Sequence, residues 1–413
     1  MIPSLIKFKF HYIHCLLGVF VFVPMVAFCQ DEGAGDFYLL EADILEKGRT
    51  IYAENPQVSE IKPLLERADQ ALREGPYSVT FKKSPAPSGD IHDYTSMGPY
   101  WWPDSTKEDG LPYIRRDGEV NPEYYQYKDN EQLGKLLPAL KTLSQAYYFT
   151  EDEKYAEHGI HLIRKWFLDP TTKMNPNLNY AQGIPGRTEG RGIGIIDIRN
   201  LGSLPDILTI FSHSAHWEEA DEREMISWLD EYVDWLIFSK HGRDAMMNGN
   251  NHTTWYFAQT IPLALYLGRN AQADSLAKIG LPMILDKMIA KDGSQPHELS
   301  RTRSWDYSVM NLEAMFIFAK AGEHLGLDVW RLKNKEGAGI REALDFLAAY
   351  LDPKSNWEYE QLGEPNFGRL KHSLYIAGLK LQEDKYIQFA NDLRAEKGPF
   401  DYFDLVYSLQ TTK

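Results

Sequence analysis

Cysteine is almost missing from this chain: its 413 residues hold two, Cys15 and Cys29. Both fall in an N-terminal segment expected to be removed. The mature chain is then left without a thiol for a disulfide, a covalent intermediate or a thiolate metal site. A chain this long can bury enough core to do without such staples. Long apolar runs are equally scarce. Only Cys15 to Phe28 (CLLGVFVFVPMVAF) is continuous, and it is too short and too poorly flanked for a spanning helix. Lys7 and Lys9 precede it, and Ala27-Phe28-Cys29 has small residues at its first and third places. Residues 1–29 therefore read as a secretory signal peptide with cleavage before Gln30, and 30–413 as the exported chain, periplasmic or secreted. Lipid anchoring through Cys29 is the weaker alternative, because Phe28 is a poor neighbour for it.

Positive charge is also in short supply. Lys and Arg number 44 against 59 Asp and Glu, for a net charge of −15. No basic face of the kind a nucleic-acid binder needs is visible. An anionic ligand is still admissible if arginines gather in one cleft, because charge farther away than about 8–10 Å is screened. The glycine-rich run Gln182 to Gly192 (QGIPGRTEGRG) has no P-loop lysine and no preceding strand, so it does not read as a nucleotide loop. It reads as a cleft or surface loop whose Arg187 and Arg191 can meet carboxylates. No HExxH occurs, and the His-x-x-His pairs at 158–161 and 213–216 lie in or beside helices. Neither a metal nor a cofactor is expected.

What is abundant is helical periodicity. Leu133, Leu136, Leu137, Leu140, Leu143 and Tyr147 form one stripe, and Met225, Trp228, Leu229, Tyr232, Trp235 and Leu236 another. Similar patterns predict helices over 36–54, 59–73, 152–167, 198–213, 254–267, 271–290, 305–325, 339–350 and 367–381. Alternating strand patterns are rare, and Ser78–Lys82 is the best of them. About a dozen helices joined by short turns, with no Pro- or Ser-rich linker, predict a single all-α domain of antiparallel hairpins. Three loops stand out from this scaffold: Ser84–Asp104, Asp169–Gly194 and Met246–His252. Such loops on a rigid frame commonly carry function. Aromatics make up 13% of the chain, enough for sugar-stacking platforms as well as core.

Two segments hold the chemistry. Asn250-Asn251-His252 precedes a helix, and Gln295-Pro-His-Glu-Leu-Ser-Arg-Thr-Arg-Ser-Trp-Asp-Tyr307 runs two arginines into another. Together they supply what β-elimination from a uronic acid requires. The C5 proton beside the carboxylate must leave, so that carboxylate must be neutralised by fixed donors. Arginine and asparagine offer N–H groups for this. A base must reach C5–H and an acid must reach O4. A tyrosine has an ordinary pKa of about 10, and a neighbouring arginine favours its phenolate. Where C5–H and O4 lie on the same side of the ring, one tyrosine can take the proton and return it. On opposite sides, a histidine base facing a tyrosine acid fits better.

These residues resemble the alginate lyase superfamily of α/α-toroid polysaccharide lyases, in its alginate and glucuronan lyase branch. The Asn-Asn-His run, the Glu-Leu-x-Arg-Thr-Arg…Tyr run at 298–307 and the aromatic loop His92 to Pro103 appear in the family's order, over roughly residues 80 to 320. The resemblance implies an incomplete α/α toroid of six to seven hairpins and an anionic polysaccharide substrate. It implies Tyr307 as base and acid, His252 as its helper, and Asn251 with Arg301 as carboxylate neutralisers. Arg303 stays open as the alternative to Arg301. Asn250, Tyr100, Trp101, Trp102, Arg187, Arg191, His297 and Arg303 are the expected substrate contacts. Two other classes remain: a glycoside hydrolase pairing carboxylates among Asp197, Glu189, Glu298 and Asp306, and a non-catalytic glycan-binding protein.

Overall fold

The computed structural model describes residues 37–393 and 400–407, all within one compact unit, Gly35–Lys413. The signal-peptide expectation for 1–29 lies outside the described residues. Among those described, no helix is long and apolar enough to cross a membrane.

The apolar stripes become the core. Leu133, Leu136, Leu137, Leu140, Leu143 and Tyr147 are all buried along the helix Lys128–Thr150. That helix stops where Glu151 turns left-handed at φ 55°. Asp152 then caps the next helix, Glu153–Ile163, through Lys154 N–H at 3.2 Å. Two residues thus make a tight helical hairpin. The helix Glu219–Phe238 buries Met225, Trp228, Leu229, Tyr232 and Leu236, and leaves Trp235 partly exposed. Its start is fixed by Asp221, which accepts from Glu218 N–H at 2.9 Å and from Arg164.

Asn251–Tyr266 is central. It is buried from Thr253 to Leu265 on every face, as expected of a helix enclosed by others. Ser304–Glu323, Asn270–Met288 and the turn-rich stretch Gly192–Ser203 pack around it. The 152–167 and 198–213 patterns are each broken: the first ends in a wide π turn over Arg164–Leu168, and the second begins as a kinked run of 3-10 turns.

Strand structure is small but decisive for the site, and it is not where the alternation pointed. Ser78–Lys82 is a 3-10 turn, because the Ser78 hydroxyl caps Thr80 N–H at 2.9 Å. The strands are instead Thr95–Met97, parallel to Tyr180–Gly183, and Trp101–Trp102, antiparallel to Ile114–Arg115. The first pair joins the two long loops to each other, and the second folds the aromatic loop back on the chain that follows it. The aromatic loop is held down by Asp129, which accepts from Lys82 Nζ at 2.7 Å and from Thr95 N–H at 2.9 Å, all buried. Lys82 also donates to the Asp93 carbonyl, while the other carboxylate oxygen of Asp129 is buried without a partner.

Candidate active site

Tyr307 lies in the first turn of the helix Ser304–Glu323 and is partly exposed, not sealed in the core. Its hydroxyl sits 3.0 Å from that of Tyr100, contributed by the aromatic loop. The Arg301 guanidinium stacks on its ring, 3.8 Å from the centroid. Arg301 does not lower the phenol's pKa overall. Burial raises it, Tyr100 adds to the rise, and Arg301 only partly opposes them. The expectation that arginine would favour a resting phenolate is therefore corrected: desolvation outweighs one cation, and the resting group is a phenol.

The two candidate arginines are placed differently. Arg301 is directed inward, held by Asp117 through paired bonds of 3.0 and 2.8 Å. Arg303 is turned aside onto Asp306 at 2.8–2.9 Å and stays 43% exposed. Asp117, which also pairs with Arg115, has its carboxyl pushed up by burial, but the Arg301 and Arg115 charges win and hold it at about 2.

His252 stands at the start of the central helix, partly exposed. Asn250 is the N-cap, and its Oδ1 accepts from His252 N–H at 3.1 Å. The same oxygen lies 2.9 Å from His252 Nδ1. An oxygen already serving as acceptor requires Nδ1 to be the donor, so Nε2 carries the lone pair. Burial, and then the charges of Arg191, Arg301 and Arg115, push the imidazole down to about 3. The ring is neutral, and Nε2 has no protein partner among the described residues.

Asn251 faces the other way. It is fully buried, with its backbone N–H and Nδ2 both donating to Glu298, at 2.9 and 2.7 Å. Its Oδ1 is buried without a partner. Asn251, expected to neutralise a substrate carboxylate, has both of its donors engaged by Glu298 in this structure. The Asn251–Glu298 bond instead ties the His252 turn to the segment that carries Arg301.

The aromatic and glycine-rich loops meet beside these groups. Trp101 is flanked by Arg187 and Arg191, whose guanidinium carbons lie 5.1 and 5.8 Å from its ring. Arg191 is braced by the Gln182 carbonyl and side chain at 3.0 and 2.9 Å and has no carboxylate partner among the described residues. Burial pushes its pKa down to about 10. Gln182 itself takes a left-handed φ of 52°, held by bonds to Asp197 and Ser96. Gly98 is required here: a Cβ would fall 2.7 Å from both Arg191 Nη2 and Trp101 Cδ1. Trp102 is half-buried under Arg116, which lies 5.0 Å from its ring. His297 is exposed, and its side chain makes no hydrogen bond or ion pair.

The geometry thus brings together Tyr307, Tyr100, Arg301, His252, Asn250, Arg191 and Trp101. Arg303 and His297 stand apart. Sequence reading missed Asp117 and Arg115, and saw Glu298 only as a hydrolase acid. Of the hydrolase candidates, both oxygens of Asp197 and of Glu298 already accept hydrogen bonds, Asp306 is engaged by Arg303 and Gln361, and Glu189 is exposed.

The alginate lyase family model matches residues 78–357. An alginate lyase from Bacteroides ovatus is 36% identical, with a TM-score of 0.84 over 91% of this chain and 99% of that one. Alginate lyase A1-III from Sphingomonas species A1 is 18% identical, with a TM-score of 0.52 over 85% of this chain and 89% of its own. A variant of A1-III complexed with a tetrasaccharide is also 18% identical, with a TM-score of 0.53 over 83% and 88%. No match is found among curated proteins. The helical hairpins are those of the expected α/α toroid. With more than half its length matched by the family model and a 36% identical relative aligned nearly end to end, this chain belongs to the alginate lyase family.

Proposed function

We propose that this protein is an exported lyase that cleaves a uronic-acid polymer, mannuronate-rich alginate or β-1,4-glucuronan, by β-elimination. One observation carries the reading: the His252 imidazole, its Nε2 without a protein partner among the described residues, sits beside three guanidiniums, one of them stacked on the Tyr307 ring. The nearby Arg charges, offset in part by Asp117, favour a carboxylate at this spot. Arg301, Arg191 and Arg115 neutralise it as negative charge grows on the enolate. The C5 proton passes to a base, the C4–O4 bond breaks as its electrons leave with O4, and C4=C5 forms. O4 takes its proton from Tyr307, which rests as a phenol 3.0 Å from Tyr100.

For a substrate with C5–H and O4 on opposite sides, His252 Nε2 is the base. For one with both on the same side, Tyr307 first gives its own proton to His252 Nε2; the phenolate, stabilised by Arg301 on its ring, then takes the C5 proton, returns it to O4 and recovers its own from His252. The names of the relatives support alginate as substrate. Export through the N-terminal segment gives access to an extracellular polymer.

The test is digestion of polymannuronate, polyguluronate and glucuronan. Ultraviolet absorbance rising with each cut is expected for at least one, because elimination creates a conjugated double bond. New reducing ends without that absorbance would mean hydrolysis. Binding with no cleavage would mean a glycan-binding protein.

A further inference from the structure

Arg199 is a cation near the site that the reaction above does not use. It lies in the stretch Gly192–Ser203, which begins beside Arg191 and packs along the helix that His252 opens. Its guanidinium carbon is 5.7 Å from the ring centroid of Trp255, three residues after His252 and so one turn farther along the same helix. Its Nη1 donates to the Ile196 carbonyl at 3.1 Å. No carboxylate lies within the 4.0 Å of an ion pair among the described residues.

The acids nearby are occupied. Glu313 binds Arg369 through both oxygens, at 2.6 and 3.2 Å. Both Asp197 oxygens accept from Ser96, Tyr94 and Gln182. Tyr124, another neighbour of Arg199, also lies beside Tyr100, so this niche adjoins the site of Tyr307. Most of the N–H groups of a half-buried arginine thus lack a protein acceptor. None of them is sealed from solvent, so they stand open to an acceptor from outside.

We propose that Arg199 forms a second carboxylate-binding subsite, which holds the uronate next to the one undergoing elimination. This rests on the lyase reading and deepens it. The spacing fits: one helical turn separates Trp255 from His252, a rise of about 5 Å, comparable with one sugar ring. The guanidinium is planar and matches a carboxylate fork, and it lies over the Trp255 ring. A chain with neutral sugars at that position is bound without this contact. The site therefore selects polymers with consecutive uronates.

The experiment uses the full-length protein with Arg199→Gln and Arg199→Lys, assayed on uronate polymer by double-bond formation. Loss of a charge-assisted contact should raise KM about 10–100-fold in the Gln variant, with kcat within about twofold because the reacting groups are untouched. The Lys variant keeps charge but not the fork, and should fall between. If the Gln variant does not fold, the Lys variant decides. Calorimetric binding of a tetrauronate to Tyr307→Phe, with and without Arg199→Gln, reads the subsite without turnover. It separates failure here from failure of the lyase assignment: absent cleavage by the unmodified enzyme sinks the latter alone. Unchanged KM and unchanged tetrauronate affinity in folded Arg199 variants, or a loss confined to kcat, overturns the subsite.

Discussion

His252 and Tyr307 are tuned by the same force in opposite senses: burial keeps the imidazole neutral and keeps the phenol protonated. Two pH effects follow. The free enzyme holds His252 at about 3 rather than its ordinary value, so the kcat/KM profile should show no acid limb near about 6.5. A limb there would mean that His252 titrates normally. At the alkaline end, a resting phenol that acts as acid gives a flat profile up to about pH 10. A reaction that must start from phenolate gives one that climbs.

The His252 shift also bears on stability. Its folded pKa lies below the unfolded one, so the unfolded chain binds more protons between about pH 3 and 6.5, and the group's contribution, complete above that window, fades as pH falls through it. Replacement by Gln should flatten that part of the melting-temperature curve.

Glu298 is the residue whose loss should be felt most widely. Glu298→Ala strands two buried donors of Asn251, at about 1–3 kcal/mol each. Chemical denaturation should report a loss of about 2–6 kcal/mol, and kcat should fall as the His252 turn loosens. A variant as stable as the parent would remove Glu298 from this role.

At the level of elements, the helices were legible because their apolar residues repeat on one face, and the packing that buried those faces obeyed the same period. The short strands were not. Thr95–Met97 and Tyr180–Gly183 are too brief for alternation to show, and what pairs them is contact across 85 residues of chain. The site shows the same division. Asn250 with His252, and Arg301 with Tyr307, are local arrangements and could be read from spacing. Asp117, 184 positions from Arg301, left no local signal, yet it fixes which arginine faces the phenol.

The paired strands make Gly98 a point of leverage. Gly98→Ala should force apart Arg191 and Trp101, raising KM about tenfold or more if one charged contact is lost. An unchanged KM would show that Arg191 does not touch substrate.

Over the whole molecule, an acidic body of net charge −15 carries a cluster of arginines in its cleft. A polyanion is repelled at long range and attracted at contact. Salt near 0.1 M, with a Debye length of about 10 Å, should relieve the first and spare the second, whereas about 1 M weakens both. Plotted against ionic strength, kcat/KM should pass through a maximum. A steady decline from the lowest salt would show that the body's charge has no part in capture.

The account stands or falls on the phenol of Tyr307. Tyr307→Phe keeps the ring under Arg301 and removes one oxygen. Its kcat, followed by appearance of the unsaturated uronate, should drop about 100-fold or more, while affinity for the polymer stays within a few-fold. Turnover close to that of the parent would contradict it.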